Sequence, residues 1–473
     1  MVSRIQVLKY VGFVVGLAAK FVTGSIFVFN AYQDAIKTNF NYTQTEVELL
    51  ASMLNVGLGI GFVPGIFYDR FGPTLTSGAG LIVSVPVYLL IWSTVKYTEF
   101  YSKRIWLMAI YFFLAGFGSV FTYMVALNTN VINFSSKHTG KIVGFLNAFF
   151  AGSPSVFATV YYNLFTTGDS TIAENQDFAG FMLFFAILYG IVNIFCMIFL
   201  RIYKDDVKDE DVFITSYKDK NGIVLDELTV AVNGNSKHHG DMEETDSDPG
   251  TNSQPYSMKQ LMCNLNYHLF IWMFACASCV GVVYATNLTV TSKSVHLDKY
   301  NDKLTIIIPI TNAIVSASIG IVSDIFKEKV PRLGIVIIGC GAFSISLVIV
   351  LLFADKYPLF IVATVFTGIG VGIIWSLCPT IMKELFSVEH LGRNWGTCLL
   401  LSAIVSFGAQ EVFGLLYDEH VPEDMRNSCY GMNCVQEGYG VFVGVSVVGL
   451  ILGAIILIRK RCCKRLSATD KMA

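Results

Sequence analysis

The sequence predicts an all-α integral membrane protein of twelve transmembrane helices in two pseudo-symmetric six-helix bundles. Three observations carry that expectation. Of 473 residues, 54% are hydrophobic and only 14% are charged, with a mean hydropathy of +0.58, where a soluble domain carries about 25% charge. A spanning helix uses roughly 20 apolar residues, so about 255 hydrophobic residues would fill a dozen spans. The third observation is that the two halves of the chain repeat one another. The formal net charge of −2 carries no basic surplus for nucleic acid. Eleven cysteines spread over the chain are no disulfide framework.

In chain order, apolar segments lie near 8–32, 47–67, 75–95, 105–130, 142–165 and 178–200. Six more follow near 267–290, 304–326, 333–353, 359–382, 397–417 and 439–458. The first is too long for a signal peptide and no small-residue cleavage site follows it. Orientation follows from the basic residues. With both termini cytoplasmic, the inside loops and tails hold 23 of 33 Lys and Arg, the outside loops hold nine, and Lys20 lies inside a span. The membrane itself, plasma membrane or an endomembrane such as a vacuole, is left open.

Two outside features agree with this orientation. Asn41-Tyr42-Thr43 is a glycosylation sequon in the first outside loop. Cys429 and Cys434 share the last one, where an oxidising compartment would allow a disulfide, although both could stay reduced.

Residues 201–262 are the long polar stretch, with 13 of the 35 acidic residues. That composition reads as a disordered cytoplasmic linker. It divides the chain into bundles over 1–200 and 263–459, and a basic tail over 460–473 follows. His238-His239 reads as solvated loop rather than metal site, and Thr245 and Ser247 are candidate phosphorylation positions.

The halves align at three places. Gly24-Ser25-Ile26-Phe27-Val28-Phe29-Asn30 matches Gly281-Val282-Val283-Tyr284-Ala285-Thr286-Asn287. Gly65-Ile66-Phe67-Tyr68-Asp69 matches Gly320-Ile321-Val322-Ser323-Asp324. Phe134, Ser135, His138, Gly140 and Gly144 match Phe386, Ser387, His390, Gly392 and Gly396. Parallel six-span repeats are a transporter signature, with the binding site between the halves near the midplane.

The loop Gly65-Ile66-Phe67-Tyr68-Asp69-Arg70-Phe71-Gly72 resembles the signature loop of the major facilitator superfamily, except that Pro73-Thr74 replace its closing basic pair. Tyr42-Thr43-Gln44, Asn128-Thr129, Asn133-Phe134, Trp375, Pro379, Glu384-Leu385-Phe386, Tyr417-Asp418 and the Cys429…Cys434 pair make the chain similar to the nodulin-like branch. The resemblance implies the major facilitator fold and a rocker-switch secondary carrier. Spans 1, 4, 7 and 10 would line the cavity, and spans 2, 5, 8 and 11 would join the halves. Asp69, Arg70 and Gly72, with Asp324 as the second-half counterpart, would form a gate, Asp69 facing the positive end of a helix. Gly72 also fits a simple tight turn.

Two charges fall deep in spans. Lys20 lies about 18 Å into the first and Glu411 about 21 Å into the eleventh. A charge there costs roughly 2.5–3.5 kcal/mol and usually marks function. Three readings stay open. Lys20 anchors an anionic substrate while Glu411 exchanges a proton; the two form a bridge that breaks as the halves rock; or they form a permanent bridge. Asn30, Tyr123, Asn287 and Trp375 complete the candidate substrate site as two pairs of repeat mates. His138 and His390 read as helix caps or bridges, and His268, Cys276 and Cys279 as packing. The tail Arg459-Lys460-Arg461-Cys462-Cys463-Lys464-Arg465 is a positive anchor, with palmitoylation of Cys462 or Cys463 as an added reading.

No nucleotide-binding or catalytic motif appears, so no enzyme activity, cofactor or metal is expected. The expected function is secondary transport of a small monocarboxylate-like or amino-acid-like anion, with protons as a candidate co-substrate. The chain would work as a monomer in the lipid bilayer. Two rivals are a cation or metal carrier using Glu411, and a nutrient receptor signalling through the linker.

Overall fold

In lipid a backbone must satisfy its own hydrogen bonds, so a chain this apolar is left with helices. The computed structural model describes residues 4–135, 138–167, 175–203, 257–386, 388–421 and 429–469, with backbone alone for 461–469. The helices of the first half are α1 (Arg4–Gly24), α2 (Phe29–Phe40), α3 (Gln44–Gly59), α4 (Phe62–Thr94), α5 (Thr98–Ser102), α6 (Ile105–Asn133), α7 (Thr139–Leu164) and α8 (Phe178–Phe199). Those of the second are α9 (Met258–Met262), α10 (Leu265–Ser294), α11 (Asn301–Ile325), α12 (Arg332–Phe353), α13 (Tyr357–Phe386), α14 (Leu391–Asp418) and α15 (Asn433–Thr469).

Among the described residues, eleven stretches are long and apolar enough to cross a membrane. One of them, Glu46–Ser102, has 57 residues. As a single helix it would reach about 86 Å, nearly three times the roughly 30 Å hydrocarbon core. It is two spans. Gly72 breaks the helix at φ 74°, a value a residue without Cβ adopts freely. Pro73 then opens the next helix, where its missing N–H costs nothing.

The ends of other elements differ from the sequence expectation. The first apolar run is longer than 8–32. It passes from α1 through a 3₁₀ turn at Ser25–Val28 into α2, so the conserved-offset segment Gly24–Asn30 is where the helix tightens. The stretch assigned to the linker ends early, because Ser257 and Gln260 cap each other's backbone and start α9. The basic tail is no separate segment: α15 runs through it to Thr469. Lys and Arg are good helix formers, and their charge suits a helix C-terminus. The acidic stretch with His238, His239, Thr245 and Ser247 lies outside the described residues.

The start of α1 and the Arg459 region of α15 lie on one face of the bundle. Tyr10 packs edge-on against Phe134 at the end of α6, 5.7 Å between ring centres. Arg459 donates to Asn266 at the start of α10 (3.2 Å). Cys429 is bridged to Cys434 in the first turn of α15, 5.8 Å between Cα atoms. Asn41 is exposed in a left-handed turn, and Thr43 beside it caps α3 through Glu46.

The halves meet chiefly through two helix pairs, α7 with α11 and α4 with α14, and α13 also packs on α7. Small residues make the approach close. A Cβ added at Gly320 would strike the Gly140 carbonyl and come within 3.1 Å of Gly144 Cα. Overpacking of this kind costs about 1–3 kcal/mol. Gly320→Leu is therefore expected to lower the midpoint of thermal unfolding in detergent. An unchanged midpoint would show that the close approach carries no stability.

Candidate functional site

The termini face is sealed by two carboxylates. Asp69, on α4 before the Gly72 break, accepts the backbone N–H groups of Gly392 (2.9 Å) and Arg393 (2.7 Å), in the first turn of α14. Asp324, at the end of α11, accepts those of Gly140 (3.0 Å) and Lys141 (2.8 Å), in the first turn of α7. Each anion meets the positive end of a helix from the other half.

The two seals are unequal. Asp324 also pairs with the Arg332 guanidinium, which is 1% exposed and reaches Glu384 as well. Lys383 on α13 crosses to the first half. Its Nζ donates to the Val131 carbonyl (2.8 Å), the Phe134 carbonyl (3.3 Å) and the Thr139 hydroxyl (3.2 Å), closing the open end of α6. Near Asp69 the cations are Arg393, half-buried and donating to the Asn394 side chain (3.2 Å), and Arg70, exposed and 5.4 Å from the Phe71 ring; neither makes an ion pair with Asp69 among the described residues. In place of the signature's basic pair stand Pro73 and Thr74 at a helix start, and the Thr76 and Ser77 hydroxyls that follow donate back to the Gly72 and Pro73 carbonyls. The histidines expected to cap stand at the N-cap positions of α7 and α14, but neither side chain makes a cap bond.

Deeper in the seam, Asn147 of α7 donates to the Ser316 hydroxyl of α11 (2.7 Å) and, at longer range, to that of Ser376 on α13 (3.4 Å). Ser316 passes the chain on to Asn312 (2.9 Å). A buried polar contact between halves fixes register, since each group left alone would be unsatisfied.

Beyond this seam lies an aromatic floor. Lys20, 16 residues into α1 and about 24 Å along it, is 1% exposed. Its Nζ stands 3.0 Å from the centre of the Tyr123 ring and 5.3 Å from that of Phe150. Tyr123 and its repeat mate Trp375 both reach this floor, from α6 and α13. Trp375 touches Phe274 (5.4 Å) and Trp395 (6.3 Å), and Phe274 touches Trp395 (4.9 Å). Buried residues of α6 and α7, among them Tyr123 and Phe150, belong to the same apolar cluster as the second half.

Lys20 makes no ion pair among the described residues. In this structure no bridge joins Lys20 to Glu411, so a permanent bridge is not what holds them. Glu411 lies 20 residues into α14, about 30 Å along it, and is exposed. It shares its face with exposed Ile404, Phe407 and Leu415. Asn30 is exposed, whereas Asn287 is committed within its own half, to the Val283 carbonyl (2.9 Å) and Gln410 (2.8 Å). Among the described residues no group of His, Cys, Asp or Glu is placed to hold a metal. Cys462 and Cys463 fall where only the backbone is described.

Sequence reasoning missed Trp395, Lys383 and Asn147. The repeat search could not find Trp395 or Lys383, because their mates at the same offset are Val143 and Val131. Asn147 is a polar residue deep in a span, which is the signal that would have found it.

A family profile described as Major Facilitator Superfamily matches residues 13–409. A protein of Wickerhamomyces anomalus named "Probable transporter MCH1" is 23% identical over 421 residues, 87% of this chain and 80% of its own length. Among solved structures, the proton:xylose symporter XylE is similar at a TM-score of 0.65 and 12% identity, covering 94% of each chain. The human organic anion transporter MFSD10 is similar at 0.60 and 11%, covering 95% of this chain and all of the other. At such identity these two likenesses show the fold alone.

The unequal seals have a measurable consequence. Asp324→Asn leaves a buried guanidinium partly unpaired, and a hydrogen bond to a charged group is worth about 1.5–3 kcal/mol. It should therefore open the termini face more than Asp69→Asn does. The reporter is Thr380→Cys, at a fully buried position on α13, with its alkylation from that face followed by peptide mass spectrometry. Several-fold faster labelling with Asp324→Asn is expected. Equal rates in the two variants would remove the asymmetry.

Proposed function

The chain belongs to the major facilitator superfamily and is a secondary transporter, and we propose that it carries a small organic anion by alternating access. The substrate class is a monocarboxylate or a zwitterionic amino acid. We further propose that it belongs to the nodulin-like branch, on the motif residues that resemble it, and that the termini face is cytoplasmic, on the bias of Lys and Arg.

One observation carries the substrate reading: Lys20 is buried among aromatic rings, with no carboxylate in ion-pair reach among the described residues. An ammonium at such depth costs roughly 2.5–3.5 kcal/mol. A desolvated cation–π contact returns about 2 kcal/mol, so the contact with Tyr123 falls short. A bound anion would complete the neutralisation and would do so only while it occupied the floor. The cation-carrier reading has less support, because Glu411 sits on a largely apolar exposed face away from this group.

The fold itself does not decide the substrate, since one scaffold serves many solutes. Initial uptake of radiolabelled propionate and pyruvate into proteoliposomes tests the proposal. Lys20→Ala should reduce uptake at least tenfold, and Lys20→Arg should keep part of it. Normal uptake by the alanine variant would sink the assignment.

A further inference from the structure

We infer that Trp395 is the second half of the anion site, its indole N–H meeting from the second half of the chain the carboxylate that Lys20 holds from the first. The inference rests on the reading of Lys20 as the anion anchor. Trp395 is fully buried, and its Nε1 has no hydrogen-bond partner. An indole N–H can only donate, and an orphaned buried donor calls for an explanation. It borders the Tyr123 side chain without reaching bonding geometry. The same Tyr123 ring carries the Lys20 ammonium, 3.0 Å from its centre. One ring therefore has the cation on its face and the unused donor near its hydroxyl.

The remaining walls define what else the ligand must be. Phe150, Phe274 and Trp375 are apolar surfaces with one further donor among them, on half-buried Trp375. A single ammonium matches a single negative charge. The site fits a monocarboxylate with a short alkyl or aryl body better than a dicarboxylate or a polyhydroxylated acid. A ligand held there would also bear on the seal. Trp395 is three residues beyond Gly392, about 4.5 Å along α14, and the Gly392 N–H is one of the two that hold Asp69.

The test compares Trp395→Phe, which keeps a ring and removes the N–H, with the wild type in proteoliposomes. The probes are radiolabelled acetate, propionate and phenylacetate, with propionate and propionamide as competitors. The expected result is a KM for propionate raised about tenfold, with a matching loss of preference for the acid over its amide and little change in maximal rate. If acid and amide weaken in parallel, Trp395 only packs, and the inference falls. If Lys20→Ala abolishes uptake while Trp395→Phe leaves KM and preference intact, the Trp395 assignment alone is wrong. If Lys20→Ala transports normally, or no monocarboxylate is taken up, the reading beneath fails and the inference with it. Should Trp395→Phe fold poorly, fluorine NMR of 5-fluorotryptophan-labelled wild type gives a second measurement. The Trp395 signal, assigned by elimination with variants at Trp92, Trp106, Trp272 and Trp375, should shift with propionate and stay still with propionamide. No shift with propionate would overturn the inference.

Discussion

Two carboxylates, each holding two backbone N–H groups of a helix from the opposite half, are what close this molecule. Asp69 on the start of α14 and Asp324 on the start of α7 are the same interaction written twice. The chemistry suits a seam that has to separate. A carboxylate on a helix N-terminus gains from the exposed N–H groups and from the helix dipole together. Both partners can return to water when the halves part, because the seal lies at the bundle's end. A long apolar zipper would have no such exit.

The halves solve the same problem with different surroundings. The second half concentrates its cations at the seam, in Arg332 and Lys383, and Lys383 caps carbonyls of α6 across the divide. The first half offers Asp69 with backbone partners and keeps Arg70 outside. That accounts for Pro73-Thr74 in place of a basic pair: the local task there is to restart a helix after Gly72. The positive charge the seam requires comes from the other half.

Much of this was legible in the sequence, for physical reasons that can be named. Spans are legible because lipid enforces length and apolarity. The residues of the two Asp–helix contacts were legible because these Asp and Gly residues recur at nearly constant offset. What the sequence conceals is anything set by one side chain's neighbours. Glu411 and Lys20 look alike on a depth scale, yet one is exposed and the other is enclosed in aromatic rings. Depth along the chain says nothing about the direction a residue faces around the helix. Asn30 and Asn287 are equivalent by repeat, but Gln410 engages only the second. Trp395 carries no repeat signal at all, because the mate of an indole donor is a valine.

The floor and the seal share helices, which is where transport would acquire its order. α14 offers Trp395 to the floor and, one turn earlier, Gly392 to Asp69. α6 offers Tyr123 to Lys20 and, at its far end, the Val131 and Phe134 carbonyls to Lys383. A rigid helix cannot move at one of these points and stay still at the other. An anion that draws Lys20, Tyr123 and Trp395 together must shift the ends of α6 and α14 that the seal grips. On the proposed reading, the ammonium without an anion would supply no such pull. Loading and release at the termini face are then two ends of the same lever.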